Sequence, residues 1–120
     1  MIGRKKIGSI RFAFTGIKIA LREELNFRVE IVWGAATLLL GWFFHISRIE
    51  WIVVLFIIGF VLSAEALNTA LEELCDKFQP THDPHIGKIK DLAAAAVLIA
   101  AATAFAVGLA IFIPYLISLT

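Results

Sequence analysis

Charge is the scarcest commodity in this chain. Asp, Glu, Lys and Arg make up only 18% of its 120 residues, whereas 60% are hydrophobic. Soluble domains run nearer to about a quarter charged. The stretches Trp33–Phe44, Trp51–Ala64 and Leu92–Ile113 contain no ionisable residue at all, which excludes an ordinary soluble domain and places the chain in a bilayer. Cysteine is almost absent: the single Cys75 rules out an intramolecular disulfide and cannot by itself form a zinc site. The net charge of +1 hides a segregated arrangement and by itself says nothing about nucleic acid; for a chain of this membrane character no nucleic-acid partner is expected. No G-x-x-x-x-G-K-[ST] loop or protein-kinase glycine loop occurs, so the usual nucleotide folds are excluded. A cleavable leader is also not visible, because the first long apolar segment comes late. The spans themselves are expected to be the membrane anchor.

What is present divides into an all-α integral membrane architecture, read as one lipid-facing unit over residues 1–120. From Ile7 to Leu25 the apolar Ile7, Ile10, Phe14, Ile17 and Leu21 recur every three or four residues, with Arg11, Lys18 and Arg22 mostly off that face. This predicts an amphipathic helix over about 7–25, lying on an anionic membrane surface. A charged elbow follows, with Arg22, Glu23, Glu24, Arg28 and Glu30. Spans are expected over about 27–46, 50–76 and 88–117. His45 reads as an interfacial polar residue, and Trp42 and Trp51 suit an aromatic belt. Gln79–Gly87, with two prolines and a glycine, reads as a loop, after which Lys88, Lys90 and Asp91 open the last helix. Its alanines allow close helix approach. Pro114 is expected to end or kink it.

Basic residues fix the expected orientation. Seven of the eleven lie before the first span or at its very start (Arg28), three lie in the loop region between the second and third, and one, Arg48, lies in the other loop. The positive-inside rule puts the N-terminus and the Lys77–Lys90 segment in the cytoplasm and the C-terminus outside. Every charged cluster then meets at the cytoplasmic interface.

The stretch Glu65–Asp76 organises that interface. On a helix, Glu65, Asn68, Glu72 and Asp76 form one stripe about 80° wide. Glu72, Glu73 and Asp76 alone are compatible with a helix emerging into solvent. Glu65 is not so easily explained, since it directly follows an unbroken apolar run, where acids are costly unless they pair, bind metal or meet water. Carboxylate and carbonyl oxygens suit Mg²⁺, which binds through one or two carboxylates plus substrate phosphates. Lysines opposite them can neutralise phosphate charge. A carboxylate at the hydrocarbon border, short of water and near others of its sign, suits a base for a lipid-borne hydroxyl. Together these point to phosphoryl transfer at the interface.

The motif E-A-L-N-T-A-L-E-E-L-C-D (Glu65–Asp76), followed about fourteen residues later by K-D-L-A-A-A-A-V-L (Lys90–Leu98), resembles the signature of the small prokaryotic diacylglycerol kinase family. The resemblance covers nearly the whole chain, including the E-x-x-F-R-x-E elbow at Glu24, Phe27, Arg28 and Glu30. Phe12–Ile17, Ala20–Asn26 and Phe112–Pro114 are similar to the undecaprenol kinase branch. It implies a homotrimer with active sites shared between subunits, using MgATP. Residue by residue, it implies Glu65 as general base and Glu24 with Glu72 as the metal-coordinating pair. Asn68, Lys90 and Asp91 match positions that hold the nucleotide, as do Thr81, His82 and Asp83 over its phosphates and base. Phe12 occupies the place of a nucleotide-binding aromatic on the surface helix. Arg28 and Glu30 match the elbow near the lipid headgroup, so that Arg28, Glu30 and Glu65 face the lipid.

The expected activity is ATP- and Mg-dependent phosphorylation of undecaprenol to undecaprenyl phosphate, with diacylglycerol as the alternative acceptor. Two rivals come from other classes: an oligomeric ion- or proton-conducting protein, and a scaffold. The acids cluster at one face with no ionisable residue to continue a path, and a scaffold leaves the Glu65–Asp76 stripe unexplained.

Overall fold

A computed structural model describes residues 2–78, 81 and 83–120, and all regular structure among them is helical. Four helices follow in order: α1 (Ile2–Glu23), α2 (Leu25–Phe44), α3 (Arg48–Phe78) and α4 (Pro84–Ser118). The last three are each long and apolar enough to cross a membrane. With 31 residues, α3 is about 46 Å long. That exceeds the roughly 30 Å of hydrocarbon in a bilayer, so its last turns must project beyond it. α4 returns antiparallel and makes its main contact with α3, and α2 also packs against α3, with Phe44 meeting Phe112 and Tyr115 of α4.

The connections are set by local hydrogen bonding. α2 ends in a Schellman turn: His45 adopts the left-handed conformation (φ 51°, ψ 54°). The Ile46 N–H then reaches the Gly41 carbonyl at 3.2 Å, and the His45 N–H reaches that of Trp42 at 3.3 Å. Orphan carbonyls at the helix end are thereby satisfied. α3 opens with a capping box, in which the Glu50 N–H donates to Ser47 Oγ at 3.2 Å and the Ser47 N–H donates to Glu50 Oε1 at 2.9 Å. The Glu50 carboxylate also accepts from the Tyr115 hydroxyl, which ties α3 to the far end of α4.

α4 begins at Pro84, a turn ahead of Lys88, where the sequence reading opened it. Asp83 is the reason: its Oδ1 accepts from the N–H groups of His85 at 2.8 Å and Ile86 at 3.2 Å. Pro84 then occupies the first turn, where its missing N–H costs nothing. Pro114 does not end the helix, which continues to Ser118.

The apolar core sits at the α2–α3 turn end of the bundle. Ile46, Val54 and Phe112 are buried there, with Phe44, Trp51 and Tyr115 packed against them. Close approach of α2 to α3 depends on glycine. A Cβ on Gly41 would lie 2.9 Å from the Trp51 ring and 3.0 Å from Ile46, and one on Gly34 would lie 3.3 Å from Ile58. The opposite end, where α1 meets α2 and α3 meets α4, is polar.

Candidate active site

Val54, Val61 and Glu65 are all buried on α3. At about 100° per residue these three, with Asn68 and Glu72, fall within roughly 60° of one line along the helix. The acidic stripe is therefore the continuation of the packing seam. It is apolar where it meets the core and carboxylate-bearing where the bundle opens. Glu65 is the junction. Only 6% exposed, it is the sole buried charged residue among those described.

Other acids gather around it. Glu24, from the break between α1 and α2, Glu30, from the second turn of α2, and Glu72 lie near enough for their charges to act on Glu65. Asn68 links two levels of the stripe: its Nδ2 donates to Glu72 Oε1 at 3.1 Å. Its Oδ1 is buried and has no hydrogen-bond partner among the described residues. A buried acceptor normally has a partner, so this oxygen is an open ligand position beside a carboxylate. Among the described residues, no set of three or more His, Cys, Asp or Glu is placed to hold a metal unaided. An oxygen-only donor set of two carboxylates and an amide oxygen, with phosphates completing it, would fit a hard divalent cation such as Mg²⁺.

Lys90 reaches across from α4 to form an ion pair with Asp76, the only one among the described residues. This contact closes the stripe at its outer end and faces Lys90 toward α3. Asp91, one residue on, instead lines an open hollow of about 500 Å³ with Gly87 and Lys88, so the adjacent Lys90 and Asp91 point to different places. Asp83 is engaged in capping α4, and Thr81 is exposed. His82 lies outside the described residues. Phe12 is exposed on α1, twelve positions and so about 18 Å along the helix from Glu24, and does not join the cluster within one chain. Arg28 donates from Nη1 to the carbonyls of Leu21 at 3.0 Å and Arg22 at 2.9 Å.

Glu30 has a second relation. It stands at the rim of an apolar cleft of about 130 Å³ between α2, α3 and α4, which Val61, Gly34 and Ile58 help to line. It also borders a groove of about 440 Å³ between α2 and α4, with Trp33, Thr37 and Phe105. A carboxylate cluster thus opens directly onto an apolar channel. Sequence reasoning missed three partners: Asp76 for Lys90, the backbone carbonyls for Arg28, and Tyr115 for Glu50. An S-x-x-E spacing at Ser47–Glu50 was the available signal for the capping box; the pairings across helices had none.

Three apolar helices carrying a carboxylate cluster at one end, beside an apolar cleft, suit a membrane-embedded enzyme of lipid chemistry. Residues 11–112 match the family model of prokaryotic diacylglycerol kinase, and the chain belongs to that family of lipid kinases. It is similar to undecaprenol kinase of Bacillus subtilis, 38% identical over 101 residues that cover 84% of this chain and 82% of that protein. It is also similar to diacylglycerol kinase of Synechocystis sp., 36% identical over 112 residues, covering 92% of this chain and 64% of that protein. Diacylglycerol kinase of Haemophilus influenzae is 30% identical over 94 residues, covering 78% and 80% respectively.

Proposed function

We propose that this lipid kinase phosphorylates undecaprenol, using MgATP, at the cytoplasmic face of a bacterial cell membrane. The observation that carries the reading is the burial of Glu65 at the junction between an apolar seam and a group of carboxylates. Glu65 takes the hydroxyl proton as the alcohol oxygen bonds to the γ-phosphorus. The bond from that phosphorus to its bridging oxygen breaks, and ADP departs. Glu24 and Glu72 hold the metal, with Asn68 Oδ1 available beside them. Mg²⁺, when bound, offsets the charge of the phosphates and orients them. Lys90 meets the phosphates from α4, and Asp91, Thr81, His82 and Asp83 border the nucleotide. Glu30 lies on the lipid side, at the rim of the apolar cleft that receives part of the chain of the alcohol.

The assembly is a homotrimer with shared sites, and α1 lies on the membrane surface. Phe12 supports sharing: it carries a nucleotide-binding place by resemblance yet lies far along α1 from the cluster of its own chain. The basic residues of α1, with Lys77 at the end of α3 and Lys88 and Lys90 near the start of α4, support a cytoplasmic site. Diacylglycerol is the second reading, since two of the similar proteins carry that name. The undecaprenol reading rests on the B. subtilis likeness and on Phe12–Ile17, Ala20–Asn26 and Phe112–Pro114. Purified protein in mixed micelles, given radiolabelled ATP and a panel of lipid alcohols, should show its highest kcat/KM with undecaprenol. A higher value with diacylglycerol selects the second reading.

A further inference from the structure

The elbow between α1 and α2 is one residue long. Glu24 alone leaves the helical conformation, at φ −112° and ψ 109°, and its side chain makes no capping hydrogen bond. Helical hydrogen bonding nonetheless runs up to it from both sides, from the Glu24 N–H to the Ala20 carbonyl at 3.0 Å and from the Arg28 N–H to the Glu24 carbonyl at 3.2 Å. A helix end leaves its last carbonyls without partners. At the end of α1, two of these, on Leu21 and Arg22, are taken by Nη1 of Arg28, which stands on the first turn of α2. A cation over a helix C-terminus is also favoured by the helix dipole. Ala20 and Phe27 are buried on either side of the bend, and the guanidinium of Arg28 spans it.

We infer that Arg28 is a positioning residue, a clasp that fixes the angle of the elbow and thereby the direction of the Glu24 carboxylate. The inference rests on the reading of Glu24 as a metal ligand. Both hydrogen bonds of Nη1 go to backbone carbonyls, so that nitrogen is committed to the chain itself. A carboxylate on a single non-helical residue has no helix of its own to aim it. Its aim is set by where α1 and α2 meet, and the Arg28 fork is the polar contact that spans that meeting. Groups that hold metal ligands in place typically contribute about 10–100-fold to metal affinity. A headgroup contact instead acts on the lipid KM.

The test compares Arg28→Met, Arg28→Lys and Glu24→Gln on purified protein. Hydrogen–deuterium exchange reads the elbow amides, and Mn²⁺ binding, followed by electron paramagnetic resonance with a non-hydrolysable ATP analogue, reads the metal site without turnover. Arg28→Met should speed exchange at residues 22–28 while leaving α3 and α4 protected. It should weaken Mn²⁺ by about tenfold or more and leave the lipid KM unchanged. Arg28→Lys, which keeps donors of the right charge, should recover part of the Mn²⁺ affinity. Glu24→Gln should weaken Mn²⁺ with elbow exchange as in the wild type. Unchanged elbow exchange in Arg28→Met overturns the clasp, as does a raised lipid KM with unchanged Mn²⁺ affinity. Unchanged Mn²⁺ affinity in Glu24→Gln removes Glu24 from the metal, and the purpose of the clasp with it.

Discussion

At the scale of single residues, placement matters more than identity. Glu65 and Glu72 are the same side chain two turns apart on one face of α3, about 10 Å along its axis. The first is buried and the second exposed, and that difference suits one to a lipid hydroxyl and the other to a hydrated metal and nucleotide. Lys90 illustrates the same point. A free lysine must lose rotamer freedom when it meets a phosphate, whereas the Asp76 contact already orders this one. Asp76→Asn should therefore raise the KM for ATP about two- to tenfold, the usual cost of ordering one long side chain, with kcat little changed. Removing a negative charge near polyphosphate acts in the opposite direction by simple repulsion. Initial rates over an ATP titration decide between them, and a lowered KM would make Asp76 a competitor rather than a support.

At the scale of the element, α3 carries the account. Its periodicity alone placed Glu65, Asn68 and Glu72 on one face, because helix geometry is local and a long apolar run leaves little freedom of register. The element boundaries were less legible. The segment after Gln79 read as loop because of its prolines, yet Asp83 and Pro84 together make a helix start, so α4 begins a turn early. Arg28 read as a side chain for lipid, and its two backbone acceptors came from a bend whose angle no spacing reveals. The Lys90–Asp76 and Tyr115–Glu50 contacts depend on the antiparallel return of α4, which is a tertiary fact. Packing of α2 on α3 gives a prediction that needs no active site. Gly41→Ala introduces a Cβ 2.9 Å from the Trp51 ring, and overpacking of this kind costs about 1–3 kcal/mol. The thermal midpoint in detergent should fall, while kcat stays close to that of the wild type, since the core and the carboxylate cluster lie at opposite ends of the bundle. An unchanged midpoint would mean that α2 and α3 are not in close contact there.

At the scale of the whole molecule, a single chain leaves large apolar surfaces uncovered. Trp33, Phe56 and Leu98 are all largely exposed, and lipid or further copies must cover them. The homotrimer reading makes a specific demand, because Phe12 has to serve the site of a neighbouring chain. Two impaired variants, Phe12→Ala and Glu65→Gln, should then rescue one another when co-assembled, since some sites will combine an intact α1 with an intact α3. Mixed assemblies no more active than either parent would confine each site to one chain.

The central claim is that Glu65 is the base of a lipid kinase, and Glu65→Gln tests it most directly. Glutamine keeps the shape and hydrogen-bonding capacity of the side chain, so nucleotide and metal should bind as in the wild type. General-base catalysis contributes about 10²–10⁴-fold, and the maximal rate of label transfer from ATP to undecaprenol should fall by that factor. Both quantities are measured on one preparation: nucleotide affinity by equilibrium binding, and transfer by recovery of labelled lipid phosphate. Unchanged affinity with turnover lowered by that factor is the predicted result. Turnover equal to that of the wild type would contradict the account, and parallel loss of binding and turnover would move Glu65 from the lipid to the metal.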